Sequence, residues 1–387
     1  MKTIANISNW YIALLCLEAV LHYFINTPIN SLVFWTVIFS SIYFAIKVNL
    51  ELFDTVFFKY LNYLILLFVI YGIVYYLFGP VYIEPASGFP LNKLSYTTMI
   101  LKSLLPVYTF YYLSYKQILT SDMVAKWIPI FIVVGIIVFS EEMQSATLRH
   151  RMSNDVTNNA GYYIMTLFPL FLFWQKSPIM KYTGMMVIIL LVISSMKRGA
   201  ILTMTLMLIY YFYETMKSKD NNNNLSIIIP PLILILGIYF YLTEYMMDNS
   251  YFMSRINDTM EGNSSSRDDL YSKFWLHILN TDFLSQLFGG GANYTLHVSY
   301  NYAHNDWLEI GVNQGLIGVL CFAAYWKGLY KKFADNVLDT TFNAMFGMVI
   351  ICIFAKTFFS MSYSNTTFFS NLCLGYCLAK NDLNTNI

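Results

Sequence analysis

Apolar stretches recur along this chain from one end to the other, and polar turns separate them. They lie near residues 10–26, 31–46, 61–78, 97–115, 124–140, 160–174, 182–196, 199–213, 226–243, 307–326, 341–359 and 366–379. Several are shorter than the ~20 residues that cross a bilayer upright. Only 12% of the 387 residues are charged while 57% are hydrophobic, against roughly 25% charged in an average soluble domain. A water-soluble globule of this size needs more polar surface than that. The composition excludes a soluble enzyme, a disordered chain and a secreted disulfide scaffold. What it predicts is an all-α fold, a polytopic membrane helix bundle of about twelve transmembrane helices. The whole of 1–387 is expected to form one integral membrane domain, with one large, partly helical outer loop near 244–306.

The first residues lack a basic region and a small-residue cleavage site, so they read as the first membrane helix rather than a removable signal. A net charge of +1 gives no electrostatic reason to expect nucleic acid as a partner. Cys16, Cys321, Cys352, Cys373 and Cys377 all fall inside apolar segments and none is in a Cys-x-x-Cys pair, so packing is their expected role. Lysines such as Lys47, Lys116, Lys217 and Lys331 dominate one set of short loops, which places those loops and both termini on the cytoplasmic side. A single helix over 182–213 would be roughly 48 Å long, too long for one crossing. Two short helices with a tight outer turn at Lys197-Arg198-Gly199 are expected instead.

All five arginines (Arg149, Arg151, Arg198, Arg255 and Arg267) then fall on the outer side. Lysine suffices for orientation, whereas the planar guanidinium fork suits bidentate phosphate contacts. The long outer loop also holds His277, His297 and His304, and loops of this length are usually functional. Residues 262–279 read as a helix start capped by Ser265 or Ser266. Arg267 lies in its first turn, beside backbone N–H groups that bind anions or else paired with Asp268 or Asp269. Leu270, Phe274 and Ile278 form a stripe expected to lie on the membrane surface. The run LFGGGANY (287–294) reads as a flexible turn; it lacks the Lys-Ser/Thr of a phosphate-binding loop.

The segment AHNDWLEIGVNQGLIGVL (303–320) is the most informative. His304 sits at the outer start of a membrane helix, with Asn305 or Asp306 available to cap it. The positive end of the helix dipole disfavours a charged imidazole there, so the ring can accept a proton; a capping or interfacial histidine is the plainer alternative. Gly311, Gly315 and Gly318 share its face and read as a groove for close helix approach. Arg198 is costly in an apolar turn unless it is paired or snorkels. Glu18 and His22 are spaced to pair on the first helix, and Lys356 is expected to snorkel.

Three segments in order, SSMKRGAIL (194–202), SSSRDDLYSKFW with LFGGGANY (264–294) and the histidine segment (303–320), resemble the O-antigen polymerase and O-antigen ligase superfamily. The resemblance covers roughly 190–320; Lys197 makes the first match looser, because it separates Ser195 and Met196 from Arg198. It implies an inverting, metal-independent glycosyltransferase of the C-type fold, with no cofactor. It makes His304 the catalytic base and Arg198 and Arg267 the pyrophosphate-binding arginines, with Arg255 as a further phosphate contact. The implied donor and acceptor are glycans on undecaprenyl pyrophosphate, in a multi-pass protein of the bacterial cytoplasmic (inner) membrane with its active site on the periplasmic side. Membrane lipids, a chain-length regulator and a flippase are the other implied partners. A repeat-unit polymerase for O-antigen, capsule or exopolysaccharide fits a moderate loop without an appended soluble domain. The alternative is a ligase that transfers the glycan to lipid A-core or to a protein hydroxyl. A lipid-linked glycan flippase or transporter is the rival from another class, and predicts related halves and interrupted helices near the midplane.

Overall fold

The computed structural model describes residues 2–24, 28–52, 56–85, 88–153, 158–217, 267–360 and 362–385. Its first half comprises α1 (Lys2–Phe24), α2 (Pro28–Glu51), α3 (Val56–Phe78), α4 (Lys93–Leu104), α5 (Pro106–Tyr115), α6 (Ser121–Ser153) and α7 (Ala160–Ile164), which continues as a 3₁₀ helix over Met165–Phe173. Then come α8 (Pro178–Ser194) and α9 (Arg198–Lys217). After the undescribed stretch follow α10 (Arg267–Asn280), α11 (Phe283–Phe288), α12 (Thr295–Ser299), α13 (Asp306–Ala334), α14 (Thr340–Phe359) and α15 (Phe368–Thr385). Among the described residues there is no strand, only an isolated bridge between Ile83 and Pro90.

This is an all-α polytopic membrane protein. Helices α2, α3, α13, α14 and the first 28 residues of α6 are long and apolar enough to cross a membrane; α8, the inner part of α1 and Ala160–Phe173 are apolar but shorter. The departures from a simple succession of spans have local causes. The stretch expected at 97–115 is two helices, because Pro106 has no N–H to donate and its ring clashes with the preceding turn; it opens α5 at N1 instead. The stretch at 160–174 tightens into a 3₁₀ helix around Pro169. The turn expected at 197–199 is present: α8 ends at Ser194, Met196 takes the left-handed conformation (φ 53°), and α9 starts at Arg198. The span expected near 226–243 lies outside the described residues.

One continuous apolar core joins these helices. Helix α5 is its axis: Tyr108, Phe110 and Tyr111 are almost fully buried. Helix α15 lies against it so closely that a methyl group on Gly375 would meet the backbone of Val107 and Tyr111 at 2.8 Å. Glu18 pairs with Lys102 of α4 at 2.6 Å, rather than standing only as a partner for His22 on its own helix. Lys356 does not snorkel. It is 6% exposed, and its ammonium donates to the carbonyl of Asn365 at 2.5 Å, in the loop that follows α14. That carbonyl gives the charge a partner inside the protein that the interface would otherwise have to supply.

Candidate active site

The last residues of α14 gather the segments that the sequence marked separately. Tyr162, in the first turn of α7, donates to the carbonyl of Phe359 at 3.4 Å. Its ring carries the Lys197 ammonium 5.7 Å from the centroid. Its hydroxyl sits where a side chain on Gly199 would project, so a larger residue after Arg198 would have to displace the Tyr162 ring. The Arg267 guanidinium is within electrostatic reach of Tyr162 and of Tyr271, one turn further along α10. Tyr271 in turn donates to the carbonyls of Phe358 at 3.2 Å and His304 at 3.4 Å. Burial pushes the Tyr271 phenol up, and the Arg267 charge partly offsets this. One tyrosine hydroxyl therefore ties α10 and the His304 turn to the end of α14, and a second bonds the next residue of that end while lying against the start of α9. Arg198 and Arg267 are both first residues of their helices, at the positive end of each helix dipole. Arg255 lies outside the described residues, as do Ser265 and Ser266, the expected cap of α10.

His304 precedes α13 in the left-handed conformation (φ 51°), which costs a non-glycine residue about 1–2 kcal/mol. Its neighbours hold it there. Asn305 is the cap: its side-chain oxygen accepts from the amides of Trp307 at 3.0 Å and Leu308 at 3.2 Å. Asp306 has a different task. It is fully buried and accepts from the Ser362 amide at 2.9 and 3.0 Å, and from the Ser362 hydroxyl as well. Trp307 donates to Thr357 at 3.1 Å and fixes α13 to the end of α14. Glu309 is fully buried and accepts from the Ala303 amide at 2.6 Å, Thr295 at 2.5 Å and Asn313 at 3.0 Å.

The glycines of α13 bring other helices close: a methyl group on Gly311 would meet Ile278 of α10 at 3.2 Å, and Gly315 faces the end of α11. Two other expectations for this region are corrected. Gly315 (φ 65°, ψ −160°) breaks α13, and its absent side chain makes room for the backbone of Leu287 and Gly289 at 2.5–2.6 Å. The glycine turn is accordingly docked rather than flexible. Gly290 and Gly291 donate to the carbonyls of Val312 and Asn313, both at 2.9 Å, which the break leaves without helical partners. The stripe of α10 also faces inward: Phe274 is fully buried with Ala303 and Val312, and Leu270 and Ile278 pack on them. The exposed apolar residues of α10 are Trp275, Leu276 and Leu279 on another face. Beside the glycine turn, α3 and Ile317 border an apolar cavity of about 620 Å³ that Tyr71, Tyr75 and Phe78 line. Among the described residues no three His, Cys, Asp or Glu side chains gather to hold a metal ion.

Helix-start arginines and a constrained histidine around one helix end belong to a single stretch of chain together with the docked glycine turn. Residues 183–323 match the O-antigen ligase family. The matched stretch, about a third of the chain, runs from within α8 to the middle of α13 and includes Arg198, Arg267 and His304. It is consistent with the O-antigen polymerase and ligase superfamily, and the similarity points to an enzyme of glycosyltransferase type. No curated protein matches the chain.

Sequence reasoning did not single out Tyr162, Tyr271 or Glu309 as parts of this site. Tyr271 was legible in principle, four residues after Arg267 on one helix face. Glu309 was as well, since a carboxylate early in an apolar helix is costly and calls for an explanation. Tyr162 had no local signal; only the packing of α7 on α8 and α14 brings it in.

Proposed function

We propose that this protein is an inverting, metal-independent glycosyltransferase that polymerises undecaprenyl-pyrophosphate-linked oligosaccharide repeat units at the outer face of the bacterial cytoplasmic membrane. The observation that carries the reading is the convergence of the Arg198 and Arg267 helix starts and the His304 turn on Phe358 and Phe359. A sugar hydroxyl is a weak nucleophile and needs a base. In this mechanism His304 takes the proton of the acceptor hydroxyl. The freed oxygen attacks the anomeric carbon of the donor glycan from the opposite face, and the bond from that carbon to the pyrophosphate oxygen breaks. Arg198 and Arg267 neutralise the charge that develops on the departing undecaprenyl pyrophosphate. The apolar cavity against α3 suits a prenyl chain. Arg255 is assigned to the same phosphate through its place in the outer loop.

The test is incubation of the purified protein with lipid-linked repeat units in EDTA, with product length resolved on a gel. Chains of many repeats are expected from the native protein and none from His304→Ala, which should still insert and purify. A polymerising His304→Ala variant removes His304 from the mechanism, and loss of activity in EDTA removes metal independence. A second reading has its own support, because the matched family is described as O-antigen ligase. Deletion in the producing bacterium separates the two: loss of a polymerase leaves single repeat units on the end product, and loss of a ligase leaves long chains on undecaprenyl pyrophosphate.

A further inference from the structure

Glu309 presents an unusual combination. It is 0% exposed in an apolar helix, and no ion pair reaches it among the described residues. A buried carboxylate without a cation is destabilising unless donors surround it. Here three do, from three segments. Oε2 accepts from the amide of Ala303, the residue before His304, at 2.6 Å. Oε1 accepts from the Thr295 hydroxyl of α12 at 2.5 Å and from the Asn313 side-chain amide at 3.0 Å. Asn313 closes the network, since its own oxygen accepts from the Thr295 amide at 3.0 Å. Asn313 also lies in the turn before the Gly315 break. Only an acceptor with two oxygens serves both sides at once. A glutamine has one oxygen, and its NH₂ would face either the Ala303 amide or the Thr295 and Asn313 donors.

The geometry matters because of what Ala303 precedes. His304 is held left-handed between an amide fixed by Glu309 on one side and the Asn305 cap on the other. We propose that Glu309 is a positioning residue: its carboxylate clamps the 303–304 turn onto α12 and the broken helix and so fixes the direction in which the His304 imidazole is presented. The proposal rests on the reading of His304 as the base, but the clamp itself is measurable without turnover.

The experiment compares Glu309→Gln, Thr295→Val and Thr295→Ser with the native protein in detergent. The first readout is the rate of diethylpyrocarbonate modification of His304, followed by mass spectrometry. The second is kcat and KM on lipid-linked repeat units, and the third is the thermal midpoint. Glu309→Gln should raise the His304 modification rate several-fold. It should lower kcat by about 100-fold, the scale of a misplaced catalytic group, with KM little changed. Thr295→Val removes one donor and should fall between, while Thr295→Ser keeps the hydroxyl and should behave as native. An unchanged modification rate in both Glu309→Gln and Thr295→Val overturns the clamp. So does a kcat loss in Thr295→Val that merely tracks a lowered thermal midpoint. If Glu309→Gln does not fold, the two Thr295 variants decide alone. If His304→Ala is active, the function reading fails while the modification rates still judge the clamp.

Discussion

Arginine and lysine are not equivalent at positions 198 and 267. Each begins a helix, half-buried, at the end of the bundle that carries His304. The helix terminus already supplies a partial positive charge. What the side chain adds is a planar fork able to hold two oxygens of one phosphate. Arg267→Lys keeps the charge near Tyr162 and Tyr271 but loses the fork. A drop in kcat of about 100-fold is expected for it, as for removal of one preorganised donor at a developing charge. The thermal midpoint should stay near native, because Phe274, not Arg267, is the buried anchor of α10. Steady-state rates on lipid-linked repeat units check this. A lysine variant with native kcat would reduce the site to a point charge and remove the bidentate argument.

At the level of the element, α13 and the glycine turn act as one unit. Its parts were partly legible: Asn305 as a cap, the start of the helix, and a short polar link before it all follow from local chemistry. The break at Gly315 was not. A glycine at helical spacing from other small residues reads as a surface for another helix, but only the long-range arrival of Leu287–Gly291, the end of α11 and the turn after it, shows that the helix must also break there. The inward turn of Phe274 was missed for the same reason: periodicity gives the apolar face of α10 but not what covers it. The two glycines can be distinguished by substitution. Gly315→Ala places a side chain at φ 65° and against the Leu287 carbonyl at 2.6 Å, a loss of roughly 3 kcal/mol or more from strain and overpacking together. Gly291→Ala is strained (φ 106°) but meets nothing within 4 Å, so about 1–2 kcal/mol is expected. Thermal unfolding in detergent should rank native above Gly291→Ala above Gly315→Ala. Equal midpoints for the two variants would mean that the turn does not dock on the broken helix.

For the molecule as a whole, orientation in the membrane decides whether the site meets a substrate at the outer leaflet. The distribution of lysines predicts that 176–181 is cytoplasmic and that the proposed site at the His304 turn lies on the opposite face. The fold supplies reporters for both. Ile179, at the start of α8, is 80% exposed, and Tyr300, just before His304, is 84% exposed. Cys16, Cys352, Cys373 and Cys377 are buried and only Cys321 is partly accessible, so Cys321→Ser leaves a quiet background for thiol labelling. In that background Tyr300→Cys should react with a membrane-impermeant maleimide on intact spheroplasts. Ile179→Cys should react only after lysis. Neither substitution touches the residues around Phe358 and Phe359, so polymer synthesis should persist in both and certify the labelled protein as native in topology. The reversed pattern, with Ile179→Cys labelled from outside, would place the imidazole and both guanidiniums on the cytoplasmic side. No periplasmic glycan could then reach them, and the proposed reaction would have to be abandoned at this scale even if every distance around the helix end were correct.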